Sequence, residues 1–481
     1  MTRTGRLLFP ALRWKPDTGF SHETETIDRA LAIGVGGFCL FGGEVAAVRE
    51  LTAELRSRSA HAMLISADLE RGAGQQFKGA VQLPPLAALG AVDDPDVTER
   101  AARLTAREAL ALGVNWIYAP VADVDLEPRN PIVGTRALGT DAARVAQHVA
   151  AWIRGCRAEG VLCCAKHFPG HGRTTDDSHA VLPRVNAARS DLEAVDLLPF
   201  RAAVLAGVEA IMTAHVCYPA LDGADVPATL SRPILTDLLR TQMGFDGLIV
   251  TDALIMEGVL HGGSGEETAA VRALNAGCDA LLYPNDLAAT AAAIERAAGS
   301  EVPEARIADA ARRIALAADG APTFRDAPVG TSGDRAWAVE LGARAVSEVR
   351  GTVRLAAAID VVSVDDDVGG PFPPPARDAF PRALRSAGFD ARATSVATDG
   401  RGLVIAVYCD IRAWKGRPGL SAAARASLER LIEARPDACV VLFGHPRLAE
   451  EMPGASVIAA WGGEEVMQRA AARRLRELGG D

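Results

Sequence analysis

The sequence predicts an α/β fold: a (β/α)8 TIM-like barrel followed by a second, smaller α/β sandwich domain. Three observations carry this. Up to about residue 320, short β-rich runs alternate with longer Ala/Leu/Arg-rich stretches of helical character, and the alternation repeats eight times. Roughly 300 residues for eight such units is barrel size, since barrels of this kind need about 250 residues plus insertions. Ionisable residues also stand just after successive strands, and the carboxyl ends of strands in a parallel barrel open on one face. A doubly wound open sheet is the rival architecture, and periodicity alone leaves it open.

In chain order the expected strands are Arg6 to Phe9, Gly37 to Phe41, Met63 to Ala67, Asn115 to Ala119, Val161 to Ala165, Ala210 to Ala214, Leu248 to Thr251 and Ala280 to Tyr283. Each is a short apolar run of the type that forms a strand buried on both faces. Asp68 follows the third, Asp123 the fourth, Lys166 and His167 the fifth, His215 the sixth and Asp252 the seventh. From residue 319 the chain reads DGAPTFRDAPVGTSGD, turn-forming and without an apolar stripe. We therefore expect a catalytic barrel over 1–318, a linker over 319–334 and a C-terminal α/β domain over 335–481. In the last, Ala357 to Val364, Leu403 to Tyr408, Cys439 to Phe443 and Ser456 to Ala460 read as buried strands, Ala422 to Arg435 as a helix and Pro371 to Pro375 as a surface loop.

A chain of 481 residues is too long for one ordinary core. A net charge of -10 argues against a general nucleic-acid binder, which needs a basic surface. The N-terminal apolar run Leu7 to Leu12 is interrupted by Pro10 and is short for a secretory signal. No segment reaches the ~18 apolar residues of a membrane span. The eight cysteines form no C-x-x-C pair and sit mostly in apolar stretches, so we expect buried, reduced thiols and a cytoplasmic location.

The densest chemistry lies in KHFPGHG, residues 166–172, followed by Asp177-Ser178-His179. Pro169, Gly170 and Gly172 prevent a helix there, so the cluster is expected as a loop at the end of the fifth strand. His167 and His171 are four apart, which raises a zinc hydrolase as a rival. Zinc motifs of that spacing rely on a helix to aim both ligands, and Pro169-Gly170 breaks it. A non-enzymatic ligand-binding barrel is a second rival.

Together with APVADVD (119–125), IVGTRALG (132–139), MTAHVCYPALD (212–222), PATLS (227–231) and GFDGLIVTDALIM (244–256), the KHFPGHG and DSH signatures resemble glycoside hydrolase family 3, within it the bacterial β-N-acetylglucosaminidase (β-N-acetylhexosaminidase) branch. The resemblance spans most of residues 1–320. It implies a retaining, exo-acting hydrolase that removes terminal β-linked N-acetylglucosamine through a covalent glycosyl-aspartate, with no metal or organic cofactor, acting on small soluble carbohydrates. Asp252 matches the nucleophile. His179, polarised by Asp177, matches the acid/base, and an imidazole titrating at about pH 6.5 suits that task. Asp68, Arg136, Lys166, His167 and His215 match sugar-binding positions, whereas His171 is assigned to loop architecture. Where the branch usually has Gln-Glu-Gly-Gly after the third-strand aspartate, this chain has Leu69-Glu70-Arg71-Gly72, and Ala253 follows the nucleophile in place of a second aspartate. The glycone thus stays open between N-acetylglucosamine and glucose. So does the acceptor, because an imidazole, unlike a carboxylate, does not repel an incoming phosphate, which would make the enzyme a glycoside phosphorylase. For the second domain, covering the barrel mouth, a homodimer contact and stability alone are the open roles.

Overall fold

The computed structural model describes residues 4–260, 265–367, 374–412 and 415–479. Residues 371–373 of the expected proline-rich loop lie outside these. The chain divides into two compact units, one of residues 1–81, 95–124 and 140–331, the other of 82–94, 125–139 and 332–481.

The first unit is the barrel. Its strands are β1 (Leu8–Phe9), β2 (Ala11–Arg13), β3 (Gly37–Phe41), β4 (Leu64–Ala67), β5 (Trp116–Ile117), β6 (Leu162–Phe168), β7 (Ala210–Thr213), β8 (Leu248–Ala253) and β9 (Ala280–Leu282). They pair in the order β1-β9-β8-β7-β6-β5-β4-β3-β2, all parallel. Only Pro10 separates β1 from β2, so these are two halves of one strand, the first bonded to β9 and the second to β3. Proline has no N–H to give the ladder, and the break falls where its missing donor interrupts neither half. The expected eight strands are thereby found, and the sheet runs round to its own start, which rules out the open doubly wound alternative.

Apart from β2, whose Arg13 is exposed, the strands bury both faces, as their largely apolar runs require. Inside the ring Phe9 meets Trp116 edge-on at 5.5 Å between centroids, and Trp116 meets Tyr118 at 5.0 Å. Outside lie helices such as Val45–Arg58, Pro95–Ala111, Ala142–Ala158 and Glu304–Gly320. Two site-bearing strands carry irregularities. Between Ala165 and Phe168 β6 slips one residue against β7, and between Val250 and Ala253 β8 slips one residue against β9. A bulge re-aims the side chains it contains, and these two contain Lys166, His167 and Asp252. Lys166 and His167 therefore belong to the strand, whereas the sequence reading put them after it.

The second unit holds a six-stranded sheet of β10 (Ser347–Arg350), β11 (Ala358–Asp365), β12 (Asp390–Ala393), β13 (Gly402–Cys409), β14 (Cys439–Gly444) and β15 (Ser456–Ala459), in the order β10-β15-β14-β13-β11-β12. Only β10 is antiparallel. Val362, Val364, Ile405, Val407, Val440 and Leu442 form its core with Leu428 and Leu448. The four expected strands are present. The edge strands β10 and β12 are short, mostly exposed and charged, so they gave no apolar signal. The units differ from the contiguous domains expected in two respects: residues 82–94 and the loop 125–139 both pack within the second. Asp125 N–H donates to Gly139 O at 3.0 Å and closes its base, Arg447 pairs with the Asp125 carboxylate, and Thr135 donates to Asp410 at 2.9 Å. A loop of this length leaves buried polar groups that need partners, and residues following β13 and β14 supply them.

All eight cysteines are buried and free. Among the described residues no helix is long and apolar enough to cross a membrane.

Candidate active site at the carboxyl ends of the barrel strands

The barrel brings three carboxylate-centred groupings to the ends of β4, β5, β6 and β8. In the first, Lys166 is buried with 2% of its side chain exposed, and its Nζ lies 2.6 Å from Asp68 Oδ1 and 2.7 Å from Glu70 Oε1. An ammonium enclosed this far needs both carboxylates to offset its lost hydration. Of the three, Asp68 is the most exposed and retains an edge toward solvent.

In the second, the fully buried Asp123 accepts from His167 Nδ1 at 2.7 Å through Oδ2, and from the backbone N–H groups of His167 at 3.2 Å and His171 at 2.6 Å through Oδ1. A carboxylate only accepts, so His167 carries its proton on Nδ1. Burial alone would raise the Asp123 carboxyl, but His167 and His171 outweigh it and hold it below its ordinary range. His171 itself hydrogen-bonds Thr174 Oγ1 at 2.8 Å through Nδ1 and Ser178 Oγ at 2.9 Å through Nε2. Burial lowers its imidazole to about 4, so it is neutral at ordinary pH. Both ring nitrogens thus meet side-chain hydroxyls of the same loop, in keeping with its assignment to loop architecture.

The third is the Asp177–His179 pair. Asp177 Oδ1 accepts from His179 Nδ1 at 2.6 Å and from His179 N–H at 3.0 Å. The ring keeps 21% exposure against 4% for the carboxylate. Asp177 therefore fixes the ring through Nδ1 and the adjoining backbone N–H.

Asp252 is partly exposed in the β8 bulge, and its Oδ1 accepts from Ala253 N–H at 2.8 Å. Desolvation pushes its carboxyl up, but His167, His215 and His179 together outweigh this and hold it below the usual carboxylate range. Those three imidazoles are thus within electrostatic reach of Asp252, across 73 residues of sequence for His179. His215 is fully buried. Its Nε2 lies 3.0 Å from Ala253 O and its Nδ1 2.7 Å from Thr229 Oγ1. A carbonyl only accepts, so Nε2 holds the proton, and burial keeps the ring neutral, with Nδ1 accepting from Thr229. His215 therefore supports the backbone beside Asp252 and turns both ring nitrogens to protein. Arg136 lies in the second unit, where Nη1 donates to Ile132 O at 3.1 Å.

Two participants were not assigned a role from sequence. Glu70 was read only as part of a departure from the family pattern, although its place two residues after Asp68 was the available signal. Asp123 was noted as a strand-end acid, with nothing in the sequence to tie it to His167.

Carboxylates and imidazoles gather at the strand ends of a parallel barrel, the face on which barrel enzymes carry their sites. The family model for the glycosyl hydrolase family 3 N-terminal domain matches residues 18–317. The chain belongs to glycosyl hydrolase family 3, an enzyme family of glycosidases. It is 37% identical over 262 residues to a beta-N-acetylglucosaminidase/beta-glucosidase of Cellulomonas fimi, covering 53% of this chain and 46% of that protein, so it spans about half that relative's length. It is 38% identical over 261 residues to a beta-hexosaminidase of Chromobacterium violaceum, covering 52% of this chain and 72% of that one. A solved family 3 beta-N-acetylglucosaminidase from Paenibacillus sp. str. FPU-7 superposes with a TM-score of 0.86 at 29% identity over 99% of this chain and 96% of that chain.

Proposed function

We propose that this protein is a retaining, exo-acting β-N-acetylglucosaminidase. The observation that carries the reading is an ionised carboxylate, Asp252, within electrostatic reach of an imidazole, His179, that has its own carboxylate behind it. Retaining cleavage needs a carboxylate nucleophile and a separate proton carrier. In the first step Asp252 attacks the anomeric carbon, its Oδ1 steadied by the Ala253 N–H. The glycosidic C–O bond breaks as the His179 imidazolium passes its Nε2 proton to the leaving oxygen. In the second step neutral His179 takes a proton from water, the water oxygen bonds to the anomeric carbon, and Asp252 leaves as the carboxylate. Asp177 accepts from Nδ1 throughout and stabilises the charged ring.

Asp68, Lys166 and His167 are the proposed sugar-hydroxyl contacts, with the Lys166–Asp68–Glu70 cluster offering a donor and acceptors side by side. His215 we assign to positioning Ala253. The names of the relatives support the glycone, and the Cellulomonas fimi protein's double name keeps β-glucosidase activity as part of the reading. A second reading, transfer of the sugar to phosphate, is favoured by the imidazole in the acid/base place, which lets an anion approach.

Initial rates on aryl β-N-acetylglucosaminide and aryl β-glucoside, in phosphate and in a non-coordinating buffer, test this on one preparation, with Asp252→Asn as the inactive reference. Faster cleavage of the N-acetylglucosaminide without sugar 1-phosphate is expected. Phosphate acceleration with sugar 1-phosphate would move the conclusion to phosphorolysis, and full activity of folded Asp252→Asn would overturn the mechanism.

A further inference from the structure

Ser178 separates the two members of the Asp177–His179 pair, and it is gripped from two directions. Its Oγ is 2.9 Å from His171 Nε2, and His171 is tied through its own N–H to Asp123. Its carbonyl oxygen accepts from Gly258 N–H at 3.0 Å. Gly258 lies in the helical turn Glu257–Leu260 that follows β8, six residues beyond Asp252. A Cβ at position 258 would stand 2.9 Å from Ser178 O, 2.9 Å from His215 O and 3.0 Å from His215 Cβ. Two of these atoms are backbone and have little room to give way. Gly258 has no left-handed φ, so glycine is needed there for space and not for backbone conformation.

We propose that Ser178 and Gly258 form a clasp that sets the separation between His179 and Asp252, joining the acid/base loop to the continuation of the nucleophile strand. Both are positioning residues. This rests on the roles given above to His179 and Asp252. A clasp of this kind acts on proton delivery: when it slackens, the nucleophile stays on its strand while the imidazole retreats from the leaving oxygen. Its signature is a dependence on leaving group, since activated aryl leaving groups need little protonation.

The test compares kcat/KM, which reports the first step alone, across aryl N-acetylglucosaminides of graded leaving-group acidity for wild type, His179→Ala, Gly258→Ala, Ser178→Ala and Ser178→Thr. Gly258→Ala should lose about tenfold to a hundredfold on the least acidic leaving groups while the most activated stay within about twofold. Ser178→Ala should follow in the same direction with a smaller loss, and Ser178→Thr, which keeps the hydroxyl, should restore most of it. Equal losses on all leaving groups, or an unchanged slope in the folded variants, would reject the clasp. Ser178→Ala decides alone if Gly258→Ala does not fold. If His179→Ala leaves the slope unchanged, the acid/base assignment falls and the clasp with it; a steeper slope in His179→Ala but in neither clasp variant rejects the clasp only.

Discussion

At the residue scale, titratable groups near the barrel mouth are buried against hydrogen-bond partners, and the cost of that burial can be measured at His171. This ring is buried between two hydroxyls and its imidazole is lowered from 6.5 to about 4. The unfolded chain takes up this proton below about pH 6.5, whereas the folded chain refuses it until about pH 4. Stability contributed by the neutral ring is therefore complete above pH 6.5, falls as the pH drops from 6.5 to 4, and is level below. The gap corresponds to about 3 kcal/mol. We expect the stability advantage of wild type over His171→Gln, read from denaturant titrations, to shrink by about that amount between neutral pH and pH 4. An advantage that stays constant would place the proton elsewhere.

The same scale shows what a sequence can tell. Asp68, Lys166, His167, Asp177, His179 and Asp252 were each legible, because polar residues at the ends of apolar strands and around a Pro/Gly-broken loop have no place in a core. Apart from the Asp177–His179 pair, their partners were not legible. Nothing in the spacing says that Lys166 is enclosed by Asp68 and Glu70, that Asp123 reaches His167, or that His215 faces Thr229 and Ala253. Those pairings join residues as many as 98 positions apart and depend on strand order and on one-residue bulges, which leave no mark in local composition.

At the scale of elements, barrel closure limits which residues the strands can hold. Gly37 in β3 faces the adjacent strand so closely that a Cβ would come within 1.7 Å of Leu64 O and 2.9 Å of the Phe9 ring. Phe9 belongs to β1, so a methyl group here would press on the barrel's seam as well as on β4. Gly37→Ala should cost about 3 kcal/mol or more, seen as a lower denaturation midpoint with an unchanged slope. A loss under about 0.5 kcal/mol would show that the strands can separate without penalty. Most strand positions were readable to within two residues because they are largely apolar; the exceptions are the first, which continues past Pro10 to Arg13, and β6, which runs on through Lys166 and His167 to Phe168. The edge strands of the second sheet were not readable, since an edge exposed to water is written in charged residues that look like loop.

At the scale of the molecule, the units are not consecutive stretches of chain. The loop 125–139 leaves the barrel sequence between Val124 and Thr140 and finds its partners among residues after 332: Arg447 for Asp125, Asp410 for Thr135. Ending the chain at Thr331 would strip this loop of them and leave a buried carboxylate uncompensated. We expect such a truncated protein to show faster amide hydrogen exchange across 125–139 and a reduced midpoint of thermal unfolding, compared with the full chain. Unchanged exchange would mean that the loop holds its form unaided. The change of composition near residue 319 was visible in the sequence, but the loop's allegiance was not, because it rests on single polar contacts made at long range.

The break at Pro10 has a consequence of its own. One strand, cut in two, supplies both ends of the ring: Leu8–Phe9 covers the open side of β9, and Ala11–Arg13 covers that of β3. Were that short piece to peel away, the ring would become a ribbon with two bare margins of unsatisfied amides, each able to recruit a strand from another molecule. The few residues on either side of Pro10 therefore guard the barrel against pairing with strands of other molecules as well as closing it.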